Sequence, residues 1–388
     1  MRATTNDLPN PDGRHRSRRA IVIAAAALVV LLAGGVGAVW LWSAKSAPAV
    51  AAPPAGGVAG FVFRDANGNG TFDAGESAAS GAMVRLYSTG PLALLDTKTD
   101  EHGIFRFDEI EYITPGEASV RLRITPVLEG PGATTFPATS GLSQEYTVAL
   151  GTTANLAAKV YTVCESLKDC ADIQPPDLTP ILTAAGGEDF PPPTTTFIDT
   201  EEIPGRTLLR FATSTANIGG LLHIVALDTH SVADGEAQPA QQFVYGDDHV
   251  YIHDAGEFIY HEVRQRFHVN DYVNFELLSE DQSTVLAENA KISFCLTDVQ
   301  QYEVRDVAEG DVFLELPPAD CGLAEQGING GWADYYGPRL FDQWVDVTDL
   351  PAGKYWIRIT VDPKQQYVEA DADNNAVLFP IDYTPPAP

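Results

Sequence analysis

Short runs in which apolar and polar residues alternate recur along most of the chain. Five of them, separated by glycine, proline, asparagine or aspartate, lie between residues 57 and 163: Phe61–Phe63, Val84–Tyr87, Phe105–Phe107, Val120–Ile124 and Tyr146–Val148. A period of two places neighbouring side chains on opposite faces, as in half-buried strands. No stretch of useful length has the helical period, and similar runs resume after about residue 205. The pattern predicts an all-β fold that begins with a small β-sandwich.

The N-terminal pattern is different. Residues 20–42 are an apolar run without a charge, which is long enough to span a bilayer. The flank before it is basic and contains Arg14, Arg16, Arg18 and Arg19, which predicts a cytoplasmic N-terminus and an extracellular C-terminal bulk. We interpret residues 1–19 as a cytoplasmic basic segment, 20–42 as a transmembrane signal anchor and 43–56 as a linker. The prediction is a single-pass protein of a bacterial cell membrane, with the membrane as its partner through residues 20–42.

A cleaved signal peptide is the alternative. The pair Arg18-Arg19 loosely matches a twin-arginine export signal, and small residues between Ala47 and Ala52 could be cut. Both interpretations place the rest of the chain outside the cytoplasm.

Charge and cysteine content agree with an external location. The net charge of −29 argues against binding to nucleic acid, and its field would attract cationic partners. The four cysteines form two close sets, Cys164 with Cys170 and Cys295 with Cys321, and neither set has the CxxC spacing of a zinc site. In an oxidising compartment these sets predict two local disulfides. The first set begins a junction, residues 164–205, that also contains two proline-rich pieces.

The segment from Asp65 to Glu76 has the spacing of a calcium loop. Oxygen donors are required at positions 1, 3, 5, 7, 9 and 12 and a glycine at position 6. Gly70 occupies position 6, and the donors are Asp65, Asn67, Asn69, Thr71 through its carbonyl, Asp73 and Glu76. These residues predict a calcium ion on a β-scaffold. The alternative is a solvated Asn-Gly turn between two strands.

Together with the opening Gly60–Asp65 and the later stretch Thr99–Phe107, this loop resembles the calcium-binding B-type repeats of bacterial surface adhesins. The resemblance covers about residues 57–163. It implies a rigid β-sandwich, stabilised by calcium, that acts as a stalk.

The second half of the chain contains the segment Tyr260–His268, in which aromatic residues and histidines flank alternating positions. This segment resembles the copper-binding segment of the lysyl oxidase family. Other stretches of about residues 175–384, assigned to a domain at 206–384, resemble that family in the same order: Pro176–Pro180, Leu208–Phe211, Ala216–Gly219, Lys291–Leu296, Gly331–Gly337, Trp344–Val347, Leu350–Tyr355, Val361–Pro363, Glu369 and Asn374–Asn375.

The resemblance implies a β-sandwich copper amine oxidase that converts peptidyl lysine into an aldehyde. Its lysine tyrosylquinone cofactor would be built from Lys291 and Tyr336, and Cys295 and Cys321 fall where bacterial members carry a pair. His268 and His261 match histidines of the metal segment. Arg264 and Arg266, however, stand at ligand positions, and a guanidinium has no lone pair for copper.

Three interpretations of these arginines follow. His249 and His253 could complete a relocated copper site with His261 and His268. The arginines could pair with carboxylates such as Glu262 and Asp271, replacing the metal by ion pairs. They could also bind an anionic ligand.

Our leading hypothesis is a surface module for binding or architecture that has lost or reduced its amine oxidase activity. An active copper amine oxidase that uses Lys291 and Tyr336 is the alternative, and a plain adhesin of two β-sandwiches is the third class. Expected partners are lysine-rich extracellular proteins or components of the cell surface.

Overall fold

The computed structural model describes residues 46–87, 93–110, 116–131, 133, 142–170, 172–182, 192–226, 235–261, 266–301 and 325–386, with only the backbone of 93–94 and 290–293. The apolar run at 20–42 lies outside these ranges, so the predicted membrane anchor stays a prediction. Within them, no helix has both the length and the apolar character needed to cross a membrane.

This part of the chain is built from strands and one short 3-10 helix at Leu167–Asp169, which confirms the all-β prediction. The strands are β1 (Val58–Asp65), β2 (Met83–Tyr87), β3 (Ala93–Lys98), β4 (Ile104–Phe107), β5 (Ser119–Ile124), β6 (Val127–Glu129), β7 (Gln144–Ala149), β8 (Thr152–Cys164), β9 (Leu178–Pro180), β10 (Thr196–Asp199), β11 (Leu208–Phe211), β12 (Thr213–Asn217), β13 (Leu222–Ala226), β14 (Ala237–Tyr245), β15 (His249–His261), β16 (Arg266–Leu278), β17 (Val285–Phe294), β18 (Gln300–Gln301), β19 (Glu325–Ile328), β20 (Trp332–Tyr336), β21 (Trp344–Asp346), β22 (Gly353–Val361) and β23 (Ala376–Tyr383).

The first domain contains two sheets that face each other. One has the order β3-β2-β5-β7, and in the other β1 lies between β4 and β8. Their facing side chains form one apolar core, which includes Val58, Val62, Val84, Leu86, Phe105, Leu122 and Leu156. The five runs of alternating residues in the sequence all lie within strands of these two sheets.

The second domain packs a large sheet against two small ones. Its large sheet runs β19-β13-β14-β15-β16-β22-β23, and β17 pairs with β16. The small sheets have the orders β10-β11-β21 and β18-β20-β12-β9. Aromatic rings join the layers: the Phe211 ring lies 4.9 Å from that of Phe275 and 6.2 Å from that of Phe379, both in T-shaped geometry.

A bulge in β16 separates the two parts of the strand that frame the candidate site. Asn270 lies opposite Ser293 and Val273 opposite Lys291, so β16 has one residue more than β17 over this interval. Asp271 in the bulge has a φ of 53°, a conformation that Asp adopts more readily than most residues. On one side of the bulge β16 pairs with β15, and on the other side it pairs with β22.

Candidate functional site

Two histidines and an arginine share one face of the β15–β16 hairpin. His261 lies directly opposite Arg266 in the antiparallel register, so their side chains project on the same side. His268 is two residues further along β16 and therefore on that face too. The rings of His261 and His268 have their centroids 4.8 Å apart. His268 is buried and Arg266 is exposed, which places the guanidinium at the open end of the group.

Tyr336 reaches the site from the facing layer. Its ring packs in T-shaped geometry on Phe294, with centroids 4.8 Å apart. Its hydroxyl donates to the carbonyl oxygen of Cys295 and accepts the Cys295 N–H, each at 2.7 Å. Burial raises the pKa of Tyr336 well above its usual value, and the charge of Asp334 raises it further; the hydrogen bond to Cys295 and the charge of Arg266 lower it. The phenol is therefore neutral and held by the backbone.

Lys291 belongs to the strand that Tyr336 contacts. It lies opposite Val273 in the β16–β17 register, four residues before Cys295. Its side chain lies outside the described atoms, so the predicted pairing of Lys291 with Tyr336 stays a prediction.

The hypothesis that His249 and His253 complete a relocated copper site with His261 and His268 is wrong. His249 and His253 lie on β15 with His261, but eight residues separate His253 from His261 along this strand, which is about 26 Å at the usual rise per residue. Nδ1 of His249 lies 3.0 Å from Oδ1 of Asp172, and the His253 ring stacks on Tyr251. Over the described ranges, no three His, Cys, Asp or Glu side chains are placed to hold a metal ion.

One interpretation of the arginines is that they form ion pairs with Glu262 and Asp271 in place of the metal. Arg264 and Glu262 lie outside the described residues. Asp271 pairs with Lys364, with 2.6 Å between Nζ and Oδ2. The carboxylate of Asp271, in the bulge of β16, is therefore paired with a lysine that follows β22.

The predicted calcium loop follows β1 directly. Asp65 ends that strand, and its carboxylate accepts the N–H groups of Asn69 and Gly70 at 3.1 and 2.7 Å. The carboxylate of Glu76 accepts the N–H groups of Ala66 and Asp73. These bonds close the loop on itself, with Asp65, Asp73 and Glu76 not gathered into one metal-holding group.

Asp73 is held by amide groups of the same loop. Its Oδ2 accepts hydrogen bonds from the side chains of Asn69 at 2.7 Å and Asn67 at 3.0 Å, and these lower the pKa of Asp73. Gly68 and Gly70 have φ values of 69° and 71°, which glycine adopts without strain. The donor set consists of oxygen atoms and fits calcium. A bound ion would replace several of these internal hydrogen bonds.

Both cysteine sets are oxidised as far as they are described. Cys164 and Cys170 form a disulfide with their Cα atoms 5.9 Å apart, as predicted. Cys295 is also disulfide-bonded. Its expected partner, Cys321, lies outside the described residues.

A polar cluster around Glu369 was not anticipated from the sequence, although Glu369 and Asn374–Asn375 carry part of the family resemblance. Glu369 accepts hydrogen bonds from the Leu178 N–H at 2.8 Å and the Asn375 side chain at 2.7 Å. Asn374 donates to Asp177 at 2.7 Å. Burial, aided by the charges of Asp362 and Asp177, raises the pKa of Glu369 to about 7. Only the fold brings these oxygens together, because Asp177 and Asn374 are far apart in sequence.

Comparison with known proteins gives a separate match for each of the two β-domains. The lysyl oxidase family model matches residues 247–387, and the SdrD B-like domain model matches residues 56–157. Lysyl oxidase homolog 2 of Bos taurus is 34% identical over 119 residues, and that of Homo sapiens is 33% identical over 119 residues. Each alignment covers 30% of this chain, and the chain spans 14% of the length of either relative.

Among solved structures, the Bacillus anthracis TIE protein aligns with 84% of this chain and 48% of its own at 10% identity, with a TM-score of 0.16. That score is too low to support any argument about the fold. The sequence matches and the two-domain β-structure agree: the chain joins an SdrD B-like domain at residues 56–157 to a lysyl oxidase-like domain at residues 247–387.

Proposed function

We propose that this chain is a membrane-anchored extracellular surface protein whose lysyl oxidase-like domain works in binding or architecture and has lost copper-dependent amine oxidation. The observation that carries the proposal is Arg266, which lies opposite His261 and on the face of His268. A permanently charged guanidinium at this point repels Cu(II) and donates no electron pair. Two imidazoles remain, which is one fewer than the smallest set that usually holds a catalytic metal. The residues present therefore do not fit copper.

Tyr336 supports the same conclusion. Its neutral hydroxyl makes two hydrogen bonds to the backbone of Cys295. This arrangement secures the tyrosine as a packing residue between the layers, and it needs no metal to be stable.

The first domain is proposed to bind calcium and to carry the second domain away from the membrane. Asp65, Asn67, Asn69, Asp73 and Glu76 would supply side-chain oxygens, and Thr71 its carbonyl. When bound, calcium would supply charge neutralisation for the three carboxylates. Residues 20–42 would provide the anchor.

The first test is a gain of function in the full chain. The double variant Arg264→His/Arg266→His should bind copper more tightly than the parent, because it restores two imidazoles and removes two positive charges. The expected gain in affinity is about 100-fold or more, since changing only a residue that supports a metal ligand already alters metal affinity by up to about 100-fold. Copper titration with mass mapping of a Lys291–Tyr336 cross-link provides the measurement. Arg339→His, an exposed arginine in the same domain, is the matched control and should leave copper binding unchanged.

The active amine oxidase remains the second candidate, because the Tyr336 ring packs on Phe294 of β17, the strand that contains Lys291. It would be favoured if the parent, loaded with copper in air, formed the Lys291–Tyr336 cross-link. The parent should then also produce hydrogen peroxide from oxygen while it oxidises a lysine peptide. Two unmodified residues in the parent would support the proposed loss of activity.

A further inference from the structure

The two domains share a strand. β8 pairs in parallel with β1 over residues 152–159, within the first domain. Its last residues, Thr162–Cys164, pair in parallel with His249–Tyr251 of β15, within the second domain. β6 pairs with the segment in between, residues 160–162. Because one continuous strand serves both sheets, no loop separates the domains along β8.

An apolar core seals this connection. Leu128, Tyr161 and Val163 come from the first domain and pack with residues of the second, among them Leu221, Val225, Phe243, Tyr245 and Val250. The rings of Tyr161 and Tyr245 have their centroids 5.2 Å apart. Burial raises the pKa of both tyrosines, so both phenols stay neutral in this core.

Polar contacts fasten the same connection at its edge. Nζ of Lys159 lies 2.9 Å from Oδ1 of Asp248, and the Thr162 N–H donates to the carbonyl oxygen of Asp248 at 2.9 Å. After β8, the Cys164–Cys170 disulfide closes the turn, and the Gln174 N–H donates to the Tyr245 carbonyl oxygen at 2.9 Å. The chain thus contacts the second domain on both sides of the disulfide.

The calcium loop lies close to this connection, because it follows the end of β1 that is nearest to it. Asp65, its first predicted ligand, is the last residue of β1 and lies opposite Lys159 of β8. Arg64, next to it, pairs with Glu129 of β6. The register position of the first ligand is therefore adjacent to the side chain that forms the ion pair with Asp248.

From this arrangement we propose that calcium bound at the Asp65–Glu76 loop stabilises the lysyl oxidase-like domain through β8, so that the two domains unfold as one cooperative unit. The inference rests on the calcium binding of the proposed function. An ion that binds only the folded loop raises the stability of everything that unfolds with it. In two domains joined by a flexible linker, the ion would stabilise only the first.

Tryptophan fluorescence separates these cases. The chain has five tryptophans, of which Trp332, Trp344 and Trp356 lie in the second domain and Trp40 and Trp42 in the N-terminal segment. In the full chain carrying Trp40→Phe and Trp42→Phe, fluorescence therefore reports unfolding of the second domain alone. With free calcium at about 100 times its dissociation constant, we expect the fluorescence midpoint to rise by on the order of 5 °C.

Two loop variants and one control assign the effect. Glu76→Gln, and the less buried Asp73→Asn, should each abolish the calcium-dependent shift, whereas Glu369→Gln in the polar cluster of the second domain should retain it. Calorimetric titration with calcium is run on the same samples. Binding at the loop without a shift of the fluorescence midpoint would overturn the coupling and leave the proposed calcium site intact. No binding at the loop would overturn both, and a shift that survives Glu76→Gln and Asp73→Asn would also overturn the coupling.

Discussion

At the scale of single residues, the character of the candidate site depends on the neighbours of His261. A histidine opposite it would extend a row of imidazoles, but Arg266 ends that row with a positive charge. The same guanidinium lowers the pKa of Tyr336, although burial has the larger and opposite effect. One side chain thus lies next to His261 and influences Tyr336, two of the residues for which the family resemblance predicts a role.

Glu369 leads to a prediction about pH. Its carboxyl has a pKa of about 7 in the folded protein against an ordinary value of 4.5, because burial disfavours the charged form. Between these values the folded state holds a proton that the unfolded state has lost, so stability falls as the pH rises from about 4.5 through 7. Urea unfolding with a calcium chelator present should show this decline, and Glu369→Gln should flatten it.

Asp382→Asn is the control for that measurement, since this carboxyl is exposed on β23. It should leave the pH dependence as in the parent. A parent whose stability is constant or rises between pH 5 and 7, or an unchanged slope in Glu369→Gln, would contradict the prediction.

The residues of the site could be predicted from sequence only where they form local patterns. The calcium loop is contiguous, so its spacing alone is enough to single out Asp65 and Glu76 as candidate ligands. The Glu369 cluster joins residues far apart in sequence, and no local signal indicates that Asp177 and Asn374 meet. The separation of His253 from His261 could not be predicted either, because it depends on both residues lying on one long strand.

At the scale of elements, the alternation of apolar and polar residues predicts half-buried strands well and fully buried strands poorly. β5 alternates strictly between half-buried and buried residues, and its sequence pattern predicts it. The pattern of β8 does not, because Leu156, Ala157 and Ala158 are all buried and no period of two is present. Because β8 pairs with three strands and apolar residues cover it, it has no polar face, and a prediction from alternation depends on such a face.

Gly60 provides a test of the central position of β1. A Cβ at this residue would collide with the carbonyl oxygen of Ala154 in β8 and with the ring of Phe105 in β4. Gly60→Ala should therefore destabilise the protein by about 1–3 kcal/mol, as is usual for overpacking. Gly56→Ala, where a Cβ meets nothing within 4 Å, should have little effect. Equal midpoints in urea for the two variants would contradict the packing of β1 between its neighbours.

At the scale of the whole molecule, the chain combines an apolar N-terminal run with a strongly acidic remainder of two β-domains. The net charge of −29 favours a solvated surface. The division into two domains could be predicted from sequence because each half has its own family pattern. Their connection through one strand could not, since Thr162–Cys164 and His249–Tyr251 lie far apart in sequence and share no local pattern.

The proposed anchor can be tested by deletion. Expressed in a bacterium, the full chain should sediment with membranes and resist extraction by high salt, because residues 20–42 would lie in the hydrocarbon core. A variant that lacks residues 1–45 should remain in the soluble fraction. Recovery of the full chain in the culture medium, with a new N-terminus between Ala47 and Ala52, would instead indicate cleavage.

The strand that joins the domains also constrains how the chain can be made. During synthesis, β8 is complete well before its partner, since roughly 85 residues separate Cys164 from His249, a delay of about 4–17 s at about 5–20 residues per second. Over that time the end of β8 would present an unpaired edge, the kind of surface that invites pairing with other chains. The nascent protein is therefore most vulnerable to aggregation after its first domain has folded, and a chaperone that covers this edge would act within that interval.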